Sequence, residues 1–266
     1  MKKLFAILAA SAVYYSSNAQ ELTSKKGFPI LPEAGDLSIS FDAVPFLDFA
    51  FDKTRIMSSS SASSASGALD YSIANNLVAK YMDEANKAYR GRVQLQFTRE
   101  SDRNYVPKSG STTGETVENT EATSSSEITI GGGLQYYRGK GRLRGYYGGE
   151  GLLSVGGGPS KTYTYGNALD ANNETNSRTT KEKSGMTFGL GVRGFIGAEY
   201  FFAPKMSIGA EFGWGIGFEN TGDGETTTET FDGSAVKTTT VKTGGNSKFN
   251  LGIDNAGGAI NLAIYF

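Results

Sequence analysis

Residues 257–266 read GGAINLAIYF, and the reading of this stretch decides the fold. Ile260, Leu262, Ile264 and Phe266 alternate with Asn261, Ala263 and Tyr265. Alternation with period two marks a β-strand whose two faces meet different surroundings. Its final residue is a bulky aromatic at the free carboxylate. That suits a strand paired on both sides, because a closed barrel joins its last strand to its first and leaves no open edge. Closure around an eight-stranded ring requires seven more strands upstream.

Working outward from the end, residues 247–266 form the last expected strand. Its apolar parity changes from odd (Phe249, Leu251, Ile253) to even (Ile260 onward), which predicts a bulge near 254–258. Before it, residues 184–202 and 206–219 alternate cleanly around the turn Ala203-Pro204-Lys205. The same period predicts strands over 126–138 and 142–155 around Gly139-Lys140-Gly141, and over 71–82 and 88–99 around a turn at 83–87. The first strand is expected over 37–51, with a break where Pro45 cannot donate to a ladder. Between these hairpins lie four polar stretches, 52–70, 100–125, 156–183 and 220–246, read as long loops. The first holds the run from Ser58 to Ser66, in which nothing can build a core.

Eight strands joined alternately by short turns and long polar loops describe an all-β, antiparallel, up-and-down transmembrane barrel over residues 37–266. Residues 20–36, punctuated by Pro29 and Pro32, are expected to form an extended periplasmic arm. Residues 1–19 have a Lys2-Lys3 start, a short apolar run and small residues at Ser17 and Ala19. This is the pattern of a cleaved signal peptide, since the run is shorter than the roughly 20 residues of a spanning helix. Removing it would move the net charge from −1 to about −3, so no basic excess points to nucleic acid.

The face opposite the apolar one is rich in glycine and charge. In a soluble barrel the apolar face would point inward; in a membrane barrel it meets lipid and the polar face lines the lumen. Glycines at 189, 191, 209, 213, 215 and 217 favour the membrane arrangement, because a narrow lumen needs missing side chains to admit large ones. Aromatics near the strand ends, Tyr200, Phe202 and Phe266 at one rim and Phe51, Phe218 and Phe249 at the other, suit interfacial girdles. The expected lumen set is Asp42, Asp48, Glu150, Glu199 and Glu211 against Lys80, Arg90, Arg92, Arg144 and Arg193. Confined opposite charges should pair, since an isolated buried charge costs several kcal/mol. An eight-stranded barrel is just wide enough for side chains to fill, so a plugged interior is expected, with a narrow charged path for small solutes as the alternative.

No cofactor or metal is expected. The match Gly189-Leu190-Gly191-Val192-Arg193-Gly194 to a dinucleotide fingerprint runs through a strand instead of opening a helix. The stretch Asp170-Ala171-Asn172-Asn173-Glu174 lacks the spacing of a calcium loop. The chain has neither His nor Cys, so a serine nucleophile has no evident activating base, and no enzyme is expected.

The leader ending in Asn18-Ala19-Gln20, the eight strands and the closing GGAINLAIYF together resemble small outer-membrane β-barrel proteins of the kind common in Bacteroidetes-type bacteria. They also resemble the eight-stranded transmembrane domains of the OmpA and OmpX group. The resemblance implies an outer-membrane location and insertion by the barrel-assembly machinery, with Phe266, Ile264 and Leu262 as the assembly signal. The enzymes known on such barrels (the phospholipase, the palmitoyltransferase and the omptin proteases) need an active-site His. The expected function is therefore a non-enzymatic surface scaffold displaying its polar loops to an extracellular ligand, in envelope integrity, adhesion or host contact. The alternative is a small-solute pore. A peptidoglycan-binding domain beyond the barrel, and the anchoring it would bring, are not expected.

Overall fold

The computed structural model describes residues 22–42, 76–170 and 177–266, leaving aside the side chains of residues 42, 76 and 253–259. Eleven strands make one antiparallel sheet, and no helix occurs among the described residues. The strands are β1 (Leu37–Asp42), β2 (Asn76–Glu84), β3 (Lys87–Pro107), β4 (Thr116–Arg138), β5 (Leu143–Thr164), β6 (Ser177–Lys183), β7 (Met186–Ala203), β8 (Met206–Thr221), β9 (Gly224–Phe231), β10 (Val236–Thr243) and β11 (Asn246–Tyr265).

Eight of them close a ring in the order β1-β2-β3-β4-β5-β7-β8-β11, with β11 pairing back onto β1. The closing contact is the stretch from which the sequence was read: Ile264 faces Ile39, Leu262 faces Phe41, and Phe266 and Leu37 exchange two backbone hydrogen bonds at 2.9 and 2.8 Å. Following the ladder from Ile39 through Ala79, Gly91, Gly132, Gly151, Val192 and Ile216 arrives at Leu251, whereas Ile39 itself pairs with Ile264. That stagger is what tilts the strands of a closed sheet. The expected irregularity in the last strand is present as a register shift between Asp254 and Ala259.

The ring turns the usual polarity inside out. Its outward positions include Leu95, Phe97, Leu190, Val192, Trp214, Phe218, Phe249 and Leu251, all exposed, while Arg90, Arg92, Glu150, Arg193 and Glu211 are buried. On β3 the apolar band runs from Tyr89 to Phe97 and on β5 from Leu143 to Val155. At about 3.3 Å per residue and a tilt of about 40°, these spans are about 20 and about 30 Å high.

Three expectations need correction. The stretches 100–125, 156–183 and 220–246 are not simple loops: β3, β4 and β5 run on into them, and they contain β6, β9 and β10. These segments build a second storey in the order β10-β9-β6-β5-β4-β3, in which β6, β9 and β10 continue the courses of β7, β8 and β11. Threonine drives this, because its β-branched side chain favours strand geometry while its hydroxyl tolerates water on either face. Second, residues 22–36 are not extended. A bridge between Thr23 and Pro29 folds them back, Ile30 is fully buried, and its carbonyl accepts from the Lys205 N–H at 3.0 Å. Ile30, with Leu22 and Leu31 beside it, belongs to an apolar cluster with Met82, Phe201 and Tyr265 that closes the short-turn end. Too few apolar residues lie here to form a period, so only packing reveals their role. Third, the strand counted at 184–202 begins at Met186, after a break at Ser184 and Gly185. The expected loop 52–70, Pro45, Asp48, Phe51 and the leader lie outside the described residues.

Candidate functional site

Among the described residues the ring interior buries five cationic side chains, Lys80, Arg90, Arg92, Arg144 and Arg193, and three carboxylates, Glu150, Glu199 and Glu211. The period-two alternation puts them there. Arg90 and Arg92 project from alternate positions of β3, Arg193 and Glu199 from β7, and each is flanked by outward apolar neighbours. The backbone of Asp42 pairs with Asn261; its side chain is not among those described.

The interior groups form two linked clusters. In the middle of the ring, Arg193 reaches Glu150 at 2.9 Å and Glu211 at 2.8 Å, with no side-chain exposure of its own. Arg90 clasps Glu211 through two bonds of 2.6 and 3.1 Å, with its Nε 3.2 Å from Glu150. Arg92 adds a contact of 2.9 Å to Glu150. Three guanidinium groups thus share two carboxylates, and the planar fork of arginine allows this sharing. Phe195 supports the arrangement from the side, with the Arg90 guanidinium 4.3 Å from its ring centre. Removal of either carboxylate would leave buried guanidinium charge without its counterpart.

Toward the short turns, Glu199 sits under Lys80 at 3.3 Å and accepts from Tyr265 Oη at 2.8 Å, Tyr137 Oη at 3.1 Å and the Ser207 hydroxyl. Lys80 also donates to Tyr265 Oη at 2.7 Å and Tyr137 Oη at 3.1 Å. Arg144 lies 4.5 Å over the Tyr137 ring and donates to the Ala85 carbonyl at 2.6 Å. A gap of about 20 Å³ separates the clusters, room for a single water.

Glycine makes this density possible at two clear points. A Cβ on Gly197 would collide with the Tyr146 ring, and one on Gly133 would meet the Gly149 carbonyl oxygen and lie 2.7 Å from the Glu150 Cα. The missing side chains let Tyr146 and Glu150 fill the centre.

Of the residues singled out from the sequence, the structure brings Arg90, Arg92, Glu150, Arg193 and Glu211 into one cluster and Glu199 and Arg144 into the other, with Lys80. Phe266 and Ile264 face outward on the closing strand, as exposed side chains. Sequence reasoning assigned no role to Tyr137, Tyr265, Ser207 or Gln135. Parity alone placed them inward, yet their chemistry resembles that of any strand residue until Lys80 and Glu199 are beside them.

No family model and no curated protein matches this chain. Among solved structures, the outer membrane protein OprG from Pseudomonas aeruginosa is similar, with a TM-score of 0.32 and 13% sequence identity, covering 89% of this chain and 98% of that one. A superposition so loose carries no argument about this protein. The geometry of the chain itself remains the ground for its function.

Proposed function

We propose that the chain is an integral outer-membrane β-barrel: the eight-stranded ring spans the bilayer, and residues 22–36 with the short turns face the periplasm. The second storey stands outside, as a rigid, non-enzymatic surface scaffold. The inversion of polarity carries this reading. Phe97, Met186, Val192, Phe249 and Leu251 are each more than 60% exposed, while Arg193 and Glu150 are buried. In water each such apolar side chain forgoes about 1.5–3 kcal/mol of burial; against hydrocarbon it loses nothing. The band heights of about 20 to about 30 Å bracket the about 25 Å of an outer-membrane barrel. Ring closure satisfies the backbone of every spanning strand, as a lipid environment demands.

The interior supports a plug over a path. Lys80, Arg90, Arg92 and Arg193 each meet a carboxylate, Arg144 donates to the Ala85 carbonyl, and the gap between the clusters holds about 20 Å³. The absence of His and Cys from the sequence supports a non-enzymatic role, with the outer storey as the part that meets envelope, surface or host partners. Planar-bilayer conductance of refolded chain 20–266, with Arg144→Ala and Glu211→Ala beside it, tests the reading. Folded protein that stays silent is the expected result. Stable channels whose size or ion preference changes in the variants would instead make the charged interior a pore.

A further inference from the structure

The register of the sheet builds a trough on the outward surface where the ring meets the second storey. One row across four neighbouring strands reads Phe97, Ser126, Gly157 and Met186. The next row up reads Arg99, Ser124, Ser160 and Lys183. Both rows have large side chains at their ends and small ones between them. A bulge at the Ser124/Ser126 step keeps Gly157 and Ser160 on one face, although they are an odd three positions apart in the chain. All eight residues line one open cavity of about 650 Å³. Phe97 and Met186, 70% and 69% exposed, form the end walls of the lower row at the upper limit of the apolar band.

We infer that this trough binds a membrane amphiphile bearing a phosphate headgroup, whose acyl chain lies between Phe97 and Met186 and whose phosphate sits between Arg99 and Lys183. The inference rests on the membrane reading above, which sets the lower row at the hydrocarbon boundary. The chemistry of the rows matches such a molecule. The lower row offers two apolar walls over a floor of Ser126 and Gly157, wide enough for a chain. The upper row offers two cations across three strand spacings, about 14 Å between backbones, with the hydroxyls of Ser124 and Ser160 beneath them as donors. Both cations are long enough to converge on one anion, and both are exposed. Two carboxylates also line the cavity: Glu225 lies beyond Lys183 in the upper row, and Asp223 accepts the Gly245 N–H at 3.1 Å. Both carboxylates stand on the β9 side of Lys183, so the row runs from Arg99 through Ser124 and Ser160 to Lys183 before the first carboxylate is met.

Native mass spectrometry of the refolded protein in a nonionic detergent tests this, with phosphatidic acid, the matching diacylglycerol and inorganic phosphate as probes. Heat-modifiable gel mobility and vesicle insertion are checked first on the same sample. Wild type should retain phosphatidic acid in preference to diacylglycerol, and Arg99→Gln with Lys183→Gln should reduce that retention about tenfold. Ser126→Leu, which keeps both cations and fills the floor, should reduce it as well. Equal retention by wild type and both variants would overturn the site. Binding of inorganic phosphate as tightly as phosphatidic acid would overturn the lipid assignment, leaving a site for soluble phosphate. A chain that inserts into vesicles yet shows no preference for phosphatidic acid would overturn this inference alone; a chain that never inserts would overturn the membrane reading beneath it.

Discussion

Below the level of Gly157 and Gly185 the sheet has an apolar outside and a charged inside; above it, the same strands and their continuations are largely polar on both faces, with only scattered exposed apolar residues such as Tyr105 and Val241. The backbone is alike in the two storeys. Arg193 in the lower one pairs with two carboxylates and has no exposure, whereas Arg178 and Glu229 in the upper one meet at 3.0 Å with about a quarter of each side chain exposed. An ion pair below organises the interior because neither partner can turn to water. An ion pair above competes with solvent and contributes about 0–1 kcal/mol. The difference teaches that side-chain surroundings, not the ladder, decide which substitutions this protein tolerates.

Glu211→Ala attacks the lower storey where it is most interdependent. It strips Arg90 and Arg193 of a shared carboxylate and should cost about 3–5 kcal/mol, read as a lower midpoint in urea unfolding from vesicles. Val192→Arg places a charge in the middle of the apolar band and should cost about 2–4 kcal/mol in the same assay. Phe266→Ala removes a 63% exposed ring from the closing strand while leaving its backbone bonds to Leu37 in place. Its loss of about 1.5–3 kcal/mol of apolar contact should lower the yield of heat-modifiable folded protein. Thr239→Arg, on the exposed β10, is the upper-storey counterpart of Val192→Arg and should stay within about 0.5 kcal/mol of wild type. If the two arginine substitutions behaved alike, the storeys would not differ in surroundings and the membrane reading would fall.

The smallest effect concerns the turn between β9 and β10. There the Asp232 carboxylate accepts the N–H groups of Ala235 and Ser234, each at 2.9 Å, and these bonds hold its pKa below the ordinary value of 3.8. A depressed carboxyl stabilises the folded turn above its unfolded pKa and loses that contribution as pH falls through its folded one. NMR titration of Asp232 should therefore show a midpoint below that of the unfolded peptide. An unshifted midpoint would mean that the turn is not held by these bonds.

The ring was legible because burial and alternation coincide in it. Ile128, Ile130 and Leu134 outward with Thr129 and Gln135 inward is a period that any strand shows when its two faces meet unlike surroundings. The second storey was not legible for the same reason. Thr226, Thr227 and Thr228 followed by Glu229 carry no apolar period, so 220–246 read as a loop although its backbone pairs throughout β9 and β10. Ile30 was hidden differently, since one apolar residue in a polar stretch has no pattern until Phe201 and Tyr265 surround it.

From the sequence alone came the antiparallel all-β architecture, the eight strands of the ring, the inward position of Lys80, Arg90, Arg92, Arg144, Glu150, Arg193, Glu199 and Glu211, and the bulge in the last strand, all consequences of local alternation. Tertiary structure decided the rest: which arginine holds which glutamate, the Tyr137–Tyr265–Glu199 network under Lys80, the folded arm, and the trough from Phe97 to Lys183. Each of these depends on register between strands far apart in the chain. Register is set by closing a whole ring of strands, which no single stretch encodes.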